Sequence, residues 1–488
     1  MPESLAPAPD MPAPSGGPAA GSAGRTGSAA TPLAAAAGSP THRSAPDPAL
    51  AAPSFPAVSA PSGGPGASAA AAGSPAERSA ADPQPTGSTG DAREVVPAQA
   101  VRRATARPAG PAQRHVRPVV TELRLSAFGR HRGAAFPIGP VTLFAGPSGS
   151  GKSQVLDAYA ALAGLGAGAT LDEAFPDPAA RIPERALPDA QRRRGFRLGC
   201  TVDGPAGPVR LDLAVQAEPA LRIAGERLSQ DGEVLFATAL RDPGRRSVQA
   251  AWLTGGAVGV TRAPLPDDRL GTALLPLRVA GSTAGQRKVL TAAEQVIVAL
   301  RSVFACDPRP DRMRAPVPQG EGRLLGDCAN LADVLRRTRH ECGTRHALLT
   351  EAARTGCAGP VVALDVRVPE GGAAVTAVLD RGPGRPATEL ARLGAGELRF
   401  LALALVLLTG PGVLDMDPAA ELLSAQQALT VLADGLDRGL DGGQGGELLR
   451  LALLSCGRGH VRLVAEVGEG TAAAARRLDG VSVVDLSA

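Results

Sequence analysis

Val141-Thr142-Leu143-Phe144-Ala145-Gly146-Pro147-Ser148-Gly149-Ser150-Gly151-Lys152-Ser153 is the stretch whose reading decides the fold. Val141 to Ala145 is an apolar run of strand length. Gly146, Pro147, Ser148, Gly149, Ser150, Gly151, Lys152 and Ser153 follow at once with the spacing GxxxxGK[ST]. From Ser153 to Leu165, Val155, Leu156, Tyr159, Leu162 and Leu165 recur at helical spacing. Strand, Gly-rich loop and helix form the context in which this spacing predicts a phosphate-binding loop. Each residue type has a physical reason. Glycines let successive backbone N–H groups turn inward, and the helix N-terminus adds its positive dipole end. Lys152 is placed as a mobile point charge for the β- and γ-phosphates, and the Ser153 hydroxyl as a ligand for Mg²⁺.

Toward the N-terminus, Leu123, Leu125 and Ala127 alternate with Glu122, Arg124 and Ser126, the period of a half-buried strand. The folded part is therefore expected to begin near Val119. Residues 1–117 are almost entirely Ala, Pro, Gly, Ser and Thr and cannot bury a core, so they are expected to be a disordered tail. Residues 118–488 suffice for one large unit. Within it, residues 196–238 read as a small antiparallel sheet, and residues 292–304 and 331–353 as helices. Residues 361–368 and 374–379 read as strands, residues 397–408 as a buried helix, and residues 412–414, 460–465 and 481–484 as short apolar strands. Strands and helices alternate at both ends around an α+β insertion. The expectation is an α/β fold with lobes at 118–170, 171–385 and 386–488.

Composition narrows the function. The chain has 488 residues, a net charge of +4, 44% hydrophobic residues and 2% aromatics. That charge is too small to argue for nucleic acid, and no aromatics interleave with the arginines at 102, 103, 107, 114 and 117 to stack bases. Six cysteines without a C-x-x-C pair read as reduced thiols. His340, Cys342, His346 and Cys357 read as ordinary helix residues, so no zinc is expected. The apolar run Phe400 to Leu408 is too short for a membrane span, and a cytoplasmic protein is expected. Lys152 and Lys288 are the only lysines, and Asn330 is the only asparagine. Because Leu331 follows Asn330, an Asn-Lys-x-Asp guanine motif is excluded.

Over residues 119–165 the sequence resembles the RecF-like and OLD-like AAA ATPases of the ABC ATPase superfamily, which includes SMC and Rad50 proteins. The resemblance rests on Glu122 to Phe128, Arg130-His131-Arg132, the strand and loop above, and Leu156-Asp157-Ala158 on the helix. Further along, Glu226-Arg227-Leu228 and Asp231-Gly232 resemble the family's hairpin region, and Gly326 to Leu331 matches a Gly-x-x-Asn-Leu segment. Leu393-Gly394-Ala395-Gly396-Glu397 resembles its signature motif, with Gly394 where the family has Ser. The resemblance implies a P-loop NTPase head that binds ATP and Mg²⁺. It also implies an ATP-dependent homodimer, in which the signature loop of one copy faces the γ-phosphate held by the other, serving a DNA- or defence-linked task.

The family's apolar strand ending in Asp/Glu-Glu-Pro-Glu is matched by setting Pro418 and Leu422 in register. This puts Met416 at the Walker B acid and Asp417 at the catalytic Glu, with Asp415 as an alternative metal-side acid. The switch-His strand corresponds to Arg462 to Gly468, without a His at its end. Two functions follow from the resemblance: an ATPase, or a hydrolysis-deficient nucleotide-binding switch.

Overall fold

A computed structural model of the chain describes residues 117–255, 258–368, 372, 374–416 and 427–486. Residues 1–116, expected as a tail, and Asp417, expected as the catalytic acid, lie outside the described residues. In chain order, β1 (Val119–Ser126), β2 (Ala134–Pro137) and β3 (Val141–Ala145) precede α1 (Lys152–Gly166) and α2 (Leu171–Ala174). Six strands follow: β4 (Arg194–Asp203), β5 (Val209–Glu218), β6 (Arg222–Gln230), β7 (Glu233–Ala239), β8 (Ser247–Leu253) and β9 (Val260–Pro266). Next come α3 (Gly271–Leu274), α4 (Ala284–Arg301), β10 (Val303–Cys306), α5 (Pro310–Met313) and β11 (Val317–Pro318). The pair α6 (Leu331–Glu341) and α7 (Gly343–Gly356) leads to β12 (Ala363–Arg367), β13 (Ala374–Asp380) and β14 (Thr388–Glu389). The last elements are α8 (Ala395–Leu408), β15 (Leu429–Ala433), α9 (Gly442–Gly457), β16 (Val461–Glu466), α10 (Glu469–Ala475) and β17 (Val481–Asp485).

The fold is mixed α/β. Its central sheet is parallel, in the order β10-β15-β16-β3-β17, so the strand that enters the Gly-rich loop lies between β16 and β17. β3 is buried along its whole length, and its alternating side chains serve two cores. Val141, Leu143 and Ala145 pack with α7, α8 and α9 residues such as Leu349, Leu403 and Leu448. Phe144 faces the other way, onto Val155, Tyr159 and Val296 of α1 and α4. A strand covered on both faces buries every side chain, which is why residues 141–145 show no alternation; the one polar group, the Thr142 hydroxyl, accepts from Gly139 N–H at 2.8 Å.

The antiparallel sheet has eight strands in the order β2-β1-β4-β5-β6-β7-β8-β9. It is larger than the sheet expected over 196–238, because β1 pairs with β4, Leu123 opposite Cys200, and joins elements from both sides of the expected 170/171 boundary. Arg462 on β16 ties this sheet to the parallel one. Its buried guanidinium donates to Val120 O at 2.8 Å and Ile138 O at 2.6 Å. Four strands, β11, β12, β13 and β14, make a third, small sheet.

Two local expectations are corrected. The helix expected over 331–353 is broken at Cys342, whose extended backbone (φ −147°) separates α6 from α7. Residues 412–414, expected as a strand, belong to a 3-10 turn at Pro411–Val413 and a single bridge, Leu414 to Leu324. The strand that fills this place in the parallel sheet is β15, some fifteen residues later and fully buried. No helix among the described residues is long and apolar enough to cross a membrane.

Candidate functional site

The Gly-rich loop links the end of β3 to the first turn of α1. Gly149 (φ 81°) and Gly151 (φ 94°) adopt the left-handed conformation, the alternating backbone form that turns N–H groups to one side. Gly151 is also the N-cap of the 15-residue α1, so the positive end of that helix opens into the loop. A side chain at Gly151 would meet His131 Nε2 at 2.6 Å. His131 instead lies against the Gly151 carbonyl at 3.1 Å, and Arg130 N–H donates to Gln154 Oε1 at 3.0 Å while its guanidinium caps Gly149 O. Arg130 and His131 therefore brace the loop from outside.

Lys152 Nζ folds over the loop and donates to Gly146 O at 2.9 Å and Pro147 O at 3.2 Å. The buried Ser150 hydroxyl has no hydrogen-bond partner. Backbone N–H groups turned to one side at a helix N-terminus, with the Lys152 ammonium folded over the loop, are suited to an anion with several acceptor oxygens.

Two parallel strands deliver acids to the same corner. Ser153 Oγ donates to Glu466 Oε2 at 2.8 Å, at the end of β16. Asp434 follows β15 directly, next to Glu466. Burial first, and then the Asp434 carboxylate, push Glu466 above the usual carboxylate range, while Ser153 and Lys152 pull it back. Asp434 Oδ1 is buried with no hydrogen-bond donor. Hydroxyl and carboxylate oxygens are the hard ligand set that suits Mg²⁺, which takes one or two carboxylates together with substrate phosphates. Among the described residues, no three His, Cys, Asp or Glu side chains form a metal cage of their own. A cation at this corner would therefore need oxygens from a bound phosphate.

The structure does not bring Asp415 to this corner. Its N–H donates to Leu324 O at 2.8 Å, and it lines a separate cleft with Arg312, Asn330 and Asp333. Residues 412–414, which the register on Pro418 needs as a strand, do not enter the parallel sheet, and Asp417 and Pro418 lie outside the described residues. The acid sequence reasoning missed is Asp434. Its signal is the apolar run Leu429 to Ala433 ended by Asp434-Gly435, the same pattern as β3 ended by Gly146.

The segment Leu393, Gly394, Ala395, Gly396, Glu397 opens α8, with Gly394 as its N-cap and Glu397 Oε2 accepting from Gly394 N–H at 2.7 Å. Gly394 and Ala395 are exposed. Gly396 faces inward, where a Cβ would stand 2.3 Å from the Gly439 carbonyl oxygen of the same chain. Two residues past Glu397, the buried Arg399 donates to Asp307 Oδ1 at 3.1 Å, Pro308 O at 2.5 Å, Asp434 O at 3.1 Å and Gly435 O at 2.9 Å. This one side chain fixes α8 to the ends of β10 and β15.

Fold and site together define a mixed α/β protein with a Gly-rich loop, a helix N-terminus and two strand-end acids at one edge of a parallel sheet. No family model and no curated protein matches the chain. Among solved structures it is similar to an SMC head bound to the C-terminal winged-helix domain of ScpA, at 12% identity and TM-score 0.39, covering 72% of this chain and 90% of that one. It is also similar to the SMC head domain from Thermotoga maritima, at 14% identity and TM-score 0.32 over 72% and 90% of the two chains. A third is an SMC head domain with an extended coiled coil, bound to the C-terminal domain of ScpA derived from Pyrococcus furiosus, at 9% identity and TM-score 0.38 over 73% and 91%. At these identities and scores, the functional reading is left to the residues of the site.

Proposed function

We propose that the chain is an ATP-binding module in which residues 146–153 hold the phosphates and nucleotide draws two copies together through the exposed start of α8. The observation that supports it most is the convergence of Lys152, Ser153, Glu466 and Asp434 on one corner. Ser153 and Asp434 would hold Mg²⁺, which supplies charge neutralisation for the polyphosphate. Lys152 releases the Gly146 and Pro147 carbonyls and turns to the anion, and the α1 N-terminus orients it. The start of α8 offers a second helix N-terminus to the γ-phosphate held by a partner copy, and two-fold symmetry then gives two equivalent nucleotide sites.

Of the two modes, the switch is favoured over the fast hydrolase. The residue after Asp434 is Gly435, which carries no carboxylate to take a proton from water, and β16 ends in Glu466-Val467 rather than in a His. Turnover should fall well below the enzyme median of about 10 per second. Calorimetry of the full chain with a non-hydrolysable ATP analogue and Mg²⁺ tests the reading, and absence of binding removes it.

A further inference from the structure

Arg438 spans the acid corner. Its Nη2 lies 3.3 Å from Asp434 Oδ2 and 3.7 Å from Glu466 Oε1, and its Nη1 3.5 Å from Asp307 Oδ1. These acids stand at or just past the ends of β15, β16 and β10, three adjacent strands of the parallel sheet. We propose that Arg438 is a resident cation, neutralising these carboxylates in the absence of metal and yielding its place when Mg²⁺ arrives with nucleotide. The inference rests on the nucleotide reading above.

Three features point to a replaceable cation rather than a structural tie. The Arg438 side chain is 53% exposed, whereas Arg399, which reaches the same Asp307, is 6% exposed and locked by carbonyl oxygens. Its contacts of 3.3 to 3.7 Å exceed the 2.7–2.9 Å typical of charge-assisted hydrogen bonds, so little is lost when they break. It also engages only one oxygen of Asp434 and leaves the buried Oδ1 without a donor.

The sequence makes room for this arrangement at one position. Gly435 has φ 61°, and Arg438 N–H donates to its carbonyl at 3.0 Å, closing a turn that folds the guanidinium back over the acids. A Cβ at position 435 would lie 2.7 Å from Arg438 Nε and 2.9 Å from Cζ. The glycine that removes a carboxylate next to Asp434 is thus also the residue that admits the arginine.

A resident cation changes how affinity depends on metal. With Arg438 in place, a metal-free polyphosphate meets a corner whose negative charge is already reduced, and Mg²⁺ must compete with a guanidinium. Without it, the carboxylates repel the metal-free nucleotide and attract the metal-bound one. Both effects raise the ratio of the dissociation constant in EDTA to that in Mg²⁺.

The test is titration of the full chain with a non-hydrolysable ATP analogue in EDTA and in Mg²⁺, for wild type, Arg438→Gln, Arg438→Met and Arg438→Lys. The expected result is a ratio raised about tenfold or more in Arg438→Gln and Arg438→Met, and held within about threefold of wild type in Arg438→Lys. A purely structural role would shift both media equally and leave the ratio unchanged. If wild type binds and the ratio is the same in all four proteins, the resident-cation inference is overturned while the nucleotide reading stands. Failure of wild type to bind in either medium overturns both.

Discussion

Ser153 Oγ donates to Glu466 Oε2 at 2.8 Å and joins the first turn of α1 to the end of β16, residues 313 apart in the chain. The loop is thereby registered against the acid edge of the sheet before any ligand arrives. Lys152, one residue earlier, makes its contacts within the loop itself.

These neighbours should behave differently when removed. Lys152→Ala should weaken binding of an ATP analogue by about 100-fold or more, with or without Mg²⁺, since on the proposed reading it deletes the charge that meets the phosphates. Ser153→Ala should lower affinity only in Mg²⁺. Calorimetry in both media separates them, and equal affinity for Lys152→Ala and wild type would remove the site.

Asp434→Asn should abolish the gain in nucleotide affinity that Mg²⁺ confers, and Asp415→Asn should leave that gain intact. Asp415 lies in a different cleft, with its backbone tied to Leu324. The reverse outcome would return the metal-side role to residue 415.

Dimerisation should depend on the outward residues of the α8 start. Ala395→Asp should prevent the proposed nucleotide-induced dimer, with light scattering as the readout, without moving the melting temperature, because the position is exposed. Gly394→Ser should strengthen the dimer, since the nearest atom to a Cβ there is the movable Glu397 Oε2 at 3.3 Å. Gly396→Asp should destabilise the monomer itself, by its clash with Gly439 O. The same mass with and without nucleotide for wild type would exclude the dimer.

Glu226 is fully buried among β6, β7 and α3 and accepts hydrogen bonds from Gly271 N–H and Thr272 N–H, both at 2.7 Å, and from the Thr272 hydroxyl. Burial outweighs these donors and pushes its carboxyl up to about 7 from an ordinary 4.5. Between those values the folded chain keeps a proton that the unfolded chain has lost, so stability should fall as pH rises through this window and level off above it. The total should be on the order of 3 kcal/mol. Urea unfolding of wild type and Glu226→Gln across the window should show the slope shrinking in the variant. Parallel profiles would refute the assignment.

What the sequence made legible was local. Residues 141–165 could be read because strand, turn and helix lie within one short window, and their glycines have no other common use in that order. The start of α8 was legible for the same reason. β15 was not: Leu429 to Ala433 sits in an Ala- and Leu-rich stretch whose apolar positions satisfy helical and strand periods alike. Its one local cue is the Asp434-Gly435 that ends it, and its place between β10 and β16 marks it as a strand. The pairing of β1 with β4 was equally hidden, since Leu123 and Cys200 meet through packing and not through any pattern between them. The break at Cys342 escaped because both flanking segments carry helical spacing.

Leu143 belongs to one core, Phe144 to the other, Ala145 returns to the first, and Gly146 begins the loop. The loop therefore hangs from a strand gripped on both sides, with a single peptide between the last grip and the first glycine. Close-packed interiors pass displacement on rather than absorb it. On the nucleotide reading, damage deep in either core should reach the loop as a shift in aim, with affinity lost well before the fold is.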